Sequence, residues 1–348
     1  MLFVYLILFC SLLFGLKVSR EGYFDDFLDR GQTDAIKGFF VLMVLVRHCL
    51  AVIRDSGFNP ETVIDSLGFR INYGFGQLVV AMFFFYSGYG VMEAIKRKGK
   101  EYLDNFPRHR ILTTLLNFDI AVACFIILNL LLALDLDLKQ IAWSLIGWES
   151  VGNSNWFIFV ILYCYLSTWA SGKVSSGDAR KTAVMTALLV LAGEASLSFI
   201  RHGQTWWYNT LLCYPAGMFL SLSKEKVIPF VQHNYLPVLL LSLTFFLFMH
   251  FQEWIPALRG LTYNVQSIAF ACIIVIATMK VKTGNRFLNW AGSCVFPIYI
   301  YQRLPMNALK HWPGATWITD NPLLFLVLCA TVTGLIAYSY KYWRIQLR

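Results

Sequence analysis

Apolar runs of helical length recur along nearly the whole chain, each close to the ~20 residues that cross a bilayer. They lie at 2–16, 36–53, 76–95, 111–134, 155–172, 182–200, 206–222, 230–250, 263–279, 288–303 and 322–340. In lipid every backbone N–H and C=O must find a partner within its own segment, so these runs are predicted to be helices. Composition agrees, because a soluble domain of 348 residues could not hide a sequence that is 57% hydrophobic and only 14% charged. The expected fold class is all-α, a polytopic integral membrane protein of about ten to eleven transmembrane helices. No stretch between the runs is long enough for a separate soluble domain. The whole chain, 1–348, therefore reads as a single membrane domain, with a leading anchor helix at about 2–16 and a core at about 34–340. The first run has no basic residue before it and no small-residue cleavage site between Gly15 and Arg20, so a retained anchor is expected in place of a removable signal.

A formal charge of +9 invites a nucleic-acid reading until the charges are located. Of the 29 Lys and Arg, 21 fall in the alternate loops 17–37, 95–110, 172–182, 223–229 and 280–286 and the tail 341–348. The opposing loops hold 7, and Arg47 sits inside a run. This is the positive-inside pattern, which puts the carboxyl end in the cytoplasm, the amino end outside, and no nucleic acid among the expected partners. Trp143, Trp148, Trp206, Trp207, Trp254, Trp290, Trp312 and Trp343 fall near predicted helix ends, as an interfacial belt would. The eight Cys lie in apolar runs without paired spacing and read as packing residues, and no metal pattern is present.

Ionisable side chains inside spans are costly and therefore candidates for function. In the second run, Lys37 and His48 stand eleven residues apart, about three helical turns and roughly 16 Å along one face. Lys37 marks the cytoplasmic end, and His48 lies beyond the midplane. Each also has a bland reading: Lys37 snorkelling to the interface, and His48 hydrogen-bonding between helices. His48 is the one histidine placed well within a run, and His109, His202, His233, His250 and His311 fall in loops or at run ends. Asp119 and Glu194 are the carboxylates well inside runs, and either could pair with Arg47. The third run carries Ala81-Met82-Phe83-Phe84-Phe85-Tyr86-Ser87-Gly88-Tyr89-Gly90, where the glycines permit close approach of a helix or a ligand. A basic segment follows, from Lys96-Arg97-Lys98 to Phe106-Pro107-Arg108-His109-Arg110.

This order resembles the family-3 membrane acyltransferases: a cation eleven residues before His in an early span, an aromatic run with Ser-Gly-Tyr, then a basic segment opening the next span. Phe296-Pro297-Ile298-Tyr299-Ile300-Tyr301-Gln302-Arg303 looks like that family's closing motif, and Asn155-Trp156-Phe157 like its mid-chain aromatic start of a span. Lys37 stands where Arg is commoner, and Gln302 where His is frequent. The resemblance implies an O-acetyltransferase of bacterial glycans that takes acetyl-CoA from the cytoplasm and acts in the cytoplasmic membrane. On that footing His48 is expected to be the base or an acyl relay, with Asp119 as its orienting carboxylate. Lys37, Arg108 and Arg110 are expected to meet the CoA phosphates, Lys37 as a point charge. Tyr86, Ser87, Tyr89 and Tyr299 are candidate donors to the thioester or its oxyanion, and Gln302 positions a ligand by hydrogen bonding. Two rivals accommodate the same charges: a transporter or flippase of a polar solute, and an assembly partner that has lost catalysis.

Overall fold

The computed structural model describes residues 1–251, 259–311 and 317–347. Trp254, Trp312 and Arg348 lie outside the described residues. The fold is all-α, and among the described residues seven helical segments are long and apolar enough to cross a membrane, or up to eight if one bent pair counts as one span. In chain order, α1 is Leu2–Leu13, α2 Arg30–Asp55, α3 Val63–Phe75 and α4 Leu78–Lys98. Next come α5 Lys100–Phe106, α6 Thr113–Leu131, α7 Leu138–Ser144, α8 Trp156–Val174, α9 Ala179–Ile200, α10 Cys213–His233 and α11 Tyr235–Phe251. The rest are α12 Arg259–Lys280, α13 Arg286–Ser293, α14 Val295–Tyr301, α15 Arg303–Lys310, α16 Trp317–Asp320 and α17 Pro322–Trp343.

Several apolar runs differ in detail from the simple expectation. At 12 residues, α1 is shorter than a bilayer span. The run 288–303 is broken into α13, α14 and α15, because Pro297 and Pro305 each lack the N–H that a continuous helix would use. Between α10 and α11 the chain bends by 101° at Asn234, whose side chain donates to the Phe230 carbonyl at 3.0 Å. The segment 100–110, expected as part of the loop 95–110, is helical: α5 buries Leu103 and Phe106, and a π-helical stretch at Pro107–Leu112 joins it to α6. Trp207 is 3% exposed, so it packs within the protein and does not face headgroups.

The basic segments converge on one end of the bundle. Lys17 and Val18 (β1) pair antiparallel with Val281 and Lys282 (β2), and Lys282 meets Asp26. Lys173 reaches Asp104 at 2.5 Å, Lys224 reaches Glu93 at 2.9 Å, and Asn117 binds the backbone of Ile345 in both directions at 2.9 Å. At the other end, Asn129 donates to Val151 O at 2.8 Å, Asn307 to Gly152 O at 3.1 Å and Arg201 to Trp148 O at 2.6 Å.

Helices α2 and α4 form the axis of the bundle, with 67% of the apolar window buried in α2 and 72% in the α3–α4 segment, against 28% for the α5–α6 segment and 33% each for α9 and α17. Lipid tails are as apolar as side chains, so association here depends on close packing. Two reciprocal glycine contacts provide it. A Cβ at Gly38 would collide with the Leu288 carbonyl oxygen of α13, and one at Gly292 with the Asp34 carbonyl oxygen of α2. In the same way Gly88 of α4 faces the Tyr214 carbonyl of α10, and Gly217 faces that of Phe85. The α2–α13 and α4–α10 pairs are thereby fixed backbone against backbone, and both flank the site described next.

Candidate active site

Two cavities lie along this axis. The first, about 700 Å³, opens among residues of the basic end, with Arg30, Asp34 and Lys37 of α2, Tyr86, Ser87, Tyr89, Gly90 and Glu93 of α4, and Arg110 in its wall. Phe157 and Tyr165 of α8 and Tyr299 of α14 close it. Lys37 and Asp34 lie three residues apart on one helix face, and their charged groups meet at 2.7 Å, while Arg30 reaches the same carboxylate at 3.4 Å. One carboxylate thus serves two cations, leaving positive charge at the wall. Arg110 adds to it, with its Nε donating to the Tyr102 hydroxyl at 3.3 Å. Glu93 is engaged by Lys96 at 3.1 Å and Lys224 at 2.9 Å and accepts from the Ser221 hydroxyl at 2.7 Å. A phosphate-bearing ligand suits a cavity of this charge.

The second cavity, about 430 Å³, is lined by Arg47, His48 and Arg54 of α2, by Asn153, Ser154, Asn155 and Trp156 at the start of α8, and by Trp206 and Arg303. His48 is half-buried, and its charged neighbours are Arg303 and Arg47. Gln302 adjoins the imidazole and is fully buried, with its Nε2 donating to the Tyr299 carbonyl at 3.0 Å. The amide is therefore fixed beside His48, where it can orient the ring. Asparagines, serines, arginines and tryptophans around one imidazole give a wall that can hydrogen-bond hydroxyl groups.

The two cavities are back to back. Tyr299 lines the first and lies near Arg303, which lines the second. Asn155 and Trp156 face the second cavity, while Phe157 faces the first, its ring 5.3 Å from Tyr299 and 6.0 Å from Phe83. A few aromatic side chains therefore separate the basic cavity from the histidine.

Lys37, Arg110, Tyr86, Ser87, Tyr89 and Tyr299 are brought together at the first cavity, and His48 with Gln302 at the second. Ser87 shares a 2.9 Å hydrogen bond with Tyr165, and the Tyr86 hydroxyl is enclosed without a hydrogen-bond partner among the described residues. Gly88 is used for helix contact, whereas a Cβ at Gly90 would meet open space on the cavity wall. Arg108 is exposed in the π-helical stretch and is not part of the cavity wall. Asp119 lies on α6, lines neither cavity and is not among the groups acting on His48, and Glu194 packs beside Gly260 and Tyr208. Asp34 and Arg303 line the two cavities and are not among the candidate site residues that the sequence singles out. Their signals were the Gln302-Arg303 polar pair ending an apolar run, and the three-residue spacing from Asp34 to Lys37.

Comparison with known proteins adds the family. The acyltransferase domain of the acyltransferase 3 family matches residues 30–341. The chain belongs to that family. The match starts at the first residue of α2 and ends within α17, so it includes both cavities and leaves α1 outside. No curated protein and no solved structure matches the chain. The protein is accordingly a membrane acyltransferase, and the two cavities are its candidate active site.

Proposed function

We propose that this acyltransferase moves an acetyl group from cytoplasmic acetyl-CoA to a hydroxyl of a cell-surface glycan or its lipid-linked precursor. The observation that carries this reading is that one helix, α2, puts Lys37 in the basic cavity and His48 in the polar one. The donor's phosphates meet Lys37, Arg30 and Arg110, and its thioester points inward past Tyr86 and Ser87 toward Tyr299. The acceptor enters the second cavity among Asn153, Asn155 and Trp156. His48 takes the proton of the acceptor hydroxyl as its oxygen attacks the thioester carbonyl; the C–S bond breaks, and CoA leaves as the thiol. If His48 first carries the acetyl group itself, the same two cavities serve two half-reactions. Tyr86 and Tyr299 are placed to donate to the carbonyl oxygen as charge develops on it. The clustering of Lys and Arg at the first cavity supports assigning that end to the cytoplasm, the amino end outside and the carboxyl end inside, in a bacterial cytoplasmic membrane.

Incubating the purified protein with radiolabelled acetyl-CoA and a panel of glycans separates this reading from solute transport. Transfer of label is expected, and absence of both transfer and thioester hydrolysis across the panel contradicts it. In the same assay Lys37→Ala is expected to raise the KM for acetyl-CoA about tenfold with a smaller change in kcat, the result of losing one charge-assisted phosphate contact. An unchanged KM removes Lys37 from the donor site.

A further inference from the structure

A third cavity, about 480 Å³, lies at the same end of the bundle as His48 and is lined by Asp137, Lys139, Gln140, Trp143, Trp148 and Glu149. We propose that it is a saccharide subsite that holds uncharged sugar rings of the acceptor beyond the one that is acetylated. The proposal rests on the glycan-acceptor reading above.

Sugar rings are recognised by a flat aromatic surface against their C–H faces, with planar polar groups around it for their hydroxyls, and the cavity supplies both. Trp143 is 43% exposed. Trp148 is held rigid from behind: its ring lies 5.1 Å from Phe159 and 5.5 Å from Trp207, with the Arg201 guanidinium 4.0 Å from its centroid. A half-buried indole so braced loses little freedom when a ligand covers its remaining surface. Gln140, Asp137 and Glu149 provide the polar rim. Glu149 is paired with Arg201 at 3.1 Å, and Asp137 stands near the cation Lys139 in the chain, so the site suits an uncharged ligand more than a polyanion.

The cavity also connects to the reaction centre through its own walls. Glu149 is followed by Ser150, which lines the His48 cavity, and Gln140 Nε2 donates to the Ser150 carbonyl at 2.7 Å. Trp207, whose ring is tilted against Trp148, is the chain neighbour of Trp206, which with Trp156 lines the His48 cavity. Indoles thus mark a path from the third cavity to His48. A belt of interfacial tryptophans needs no such bracing and no shared wall.

The test is calorimetric titration of the full-length protein, with no acetyl donor present. Its probes are glucose, galactose and N-acetylglucosamine oligomers of increasing length. At least one series should bind, more tightly as the oligomer grows. Trp143→Ala should weaken the longest oligomer about tenfold, as loss of one aromatic contact does, while Trp143→Phe should retain most of the affinity. Gln140→Ala is a second variant, expected to weaken binding without touching the aromatic surface. Binding by no series, or equal affinity in the wild type and all three variants, overturns the subsite. Because the donor is absent, saccharide binding without any transfer in the separate assay would sink the acetyltransferase reading alone.

Discussion

His48→Ala is expected to lower acetyl transfer by about a thousandfold, within the range that a positioned general base contributes, while the protein still inserts and purifies as the wild type does. The imidazole stands in a polar cavity, in reach of an incoming hydroxyl, and the adjoining Gln302 is fixed by its bond to the Tyr299 carbonyl. Among the described residues no second histidine lines either cavity, so no other imidazole is at hand to take the proton. A neutral ring is required to accept that proton, so turnover should also fall as the pH drops through the imidazole's own titration. If His48 is an acyl carrier, quenching the wild type in mid-turnover should trap label on the protein, and the alanine variant should show none. A His48→Ala protein that turns over at the wild-type rate removes the residue from the chemistry.

Gly38→Leu should damage the fold severely. Its Cβ would meet the Leu288 carbonyl oxygen and the Gly292 backbone nitrogen, which are parts of a helix and cannot rotate away as a side chain would. Forcing α2 and α13 apart costs at least the ~1–3 kcal/mol typical of overpacking, and it also shifts Asp34 and Lys37 on the cavity wall. A large fall in the melting temperature of the purified protein, or loss of folded yield, is the expected result. Gly90→Ala supplies the contrast, because its Cβ would point into open space. It should melt close to the wild type while weakening donor affinity. Equal melting of the Gly38 and Gly90 variants would contradict the packing account.

The apolar runs were readable because a span must be long and uniformly apolar, whatever its neighbours are. Breaks within them were harder to read. Pro297 and Pro305 were visible, yet only the structure shows α13, α14 and α15 as separate segments around Gln302. Residues 100–110 look like part of a basic loop by charge, but Leu103 and Phe106 turn inward and make the segment helical. The π-helical stretch that follows separates Arg110, on the cavity wall, from Arg108, which is off it, a distinction that spacing does not carry. Lys37 and His48 were legible as a pair because one helix holds both. The cavities were not, since Tyr165, Phe157 and Arg303 reach them from elements far away in the chain. The same limit applies to Asp119, whose sequence neighbourhood suggested a partner for His48 and whose place on α6 puts it beside neither cavity.

In the proposed reaction the acetyl group passes through the protein from a donor at the basic end to an acceptor at the histidine end. Proteoliposomes with the protein inserted in one orientation, labelled acetyl-CoA enclosed on one side and glycan acceptor supplied on the other measure this directly. Labelled ester should accumulate on the acceptor only when acetyl-CoA faces the Lys37 end, and His48→Ala vesicles should form none. Equal labelling with both substrates confined to the His48 side, or passage of intact acetyl-CoA or glycan without an ester, would contradict it.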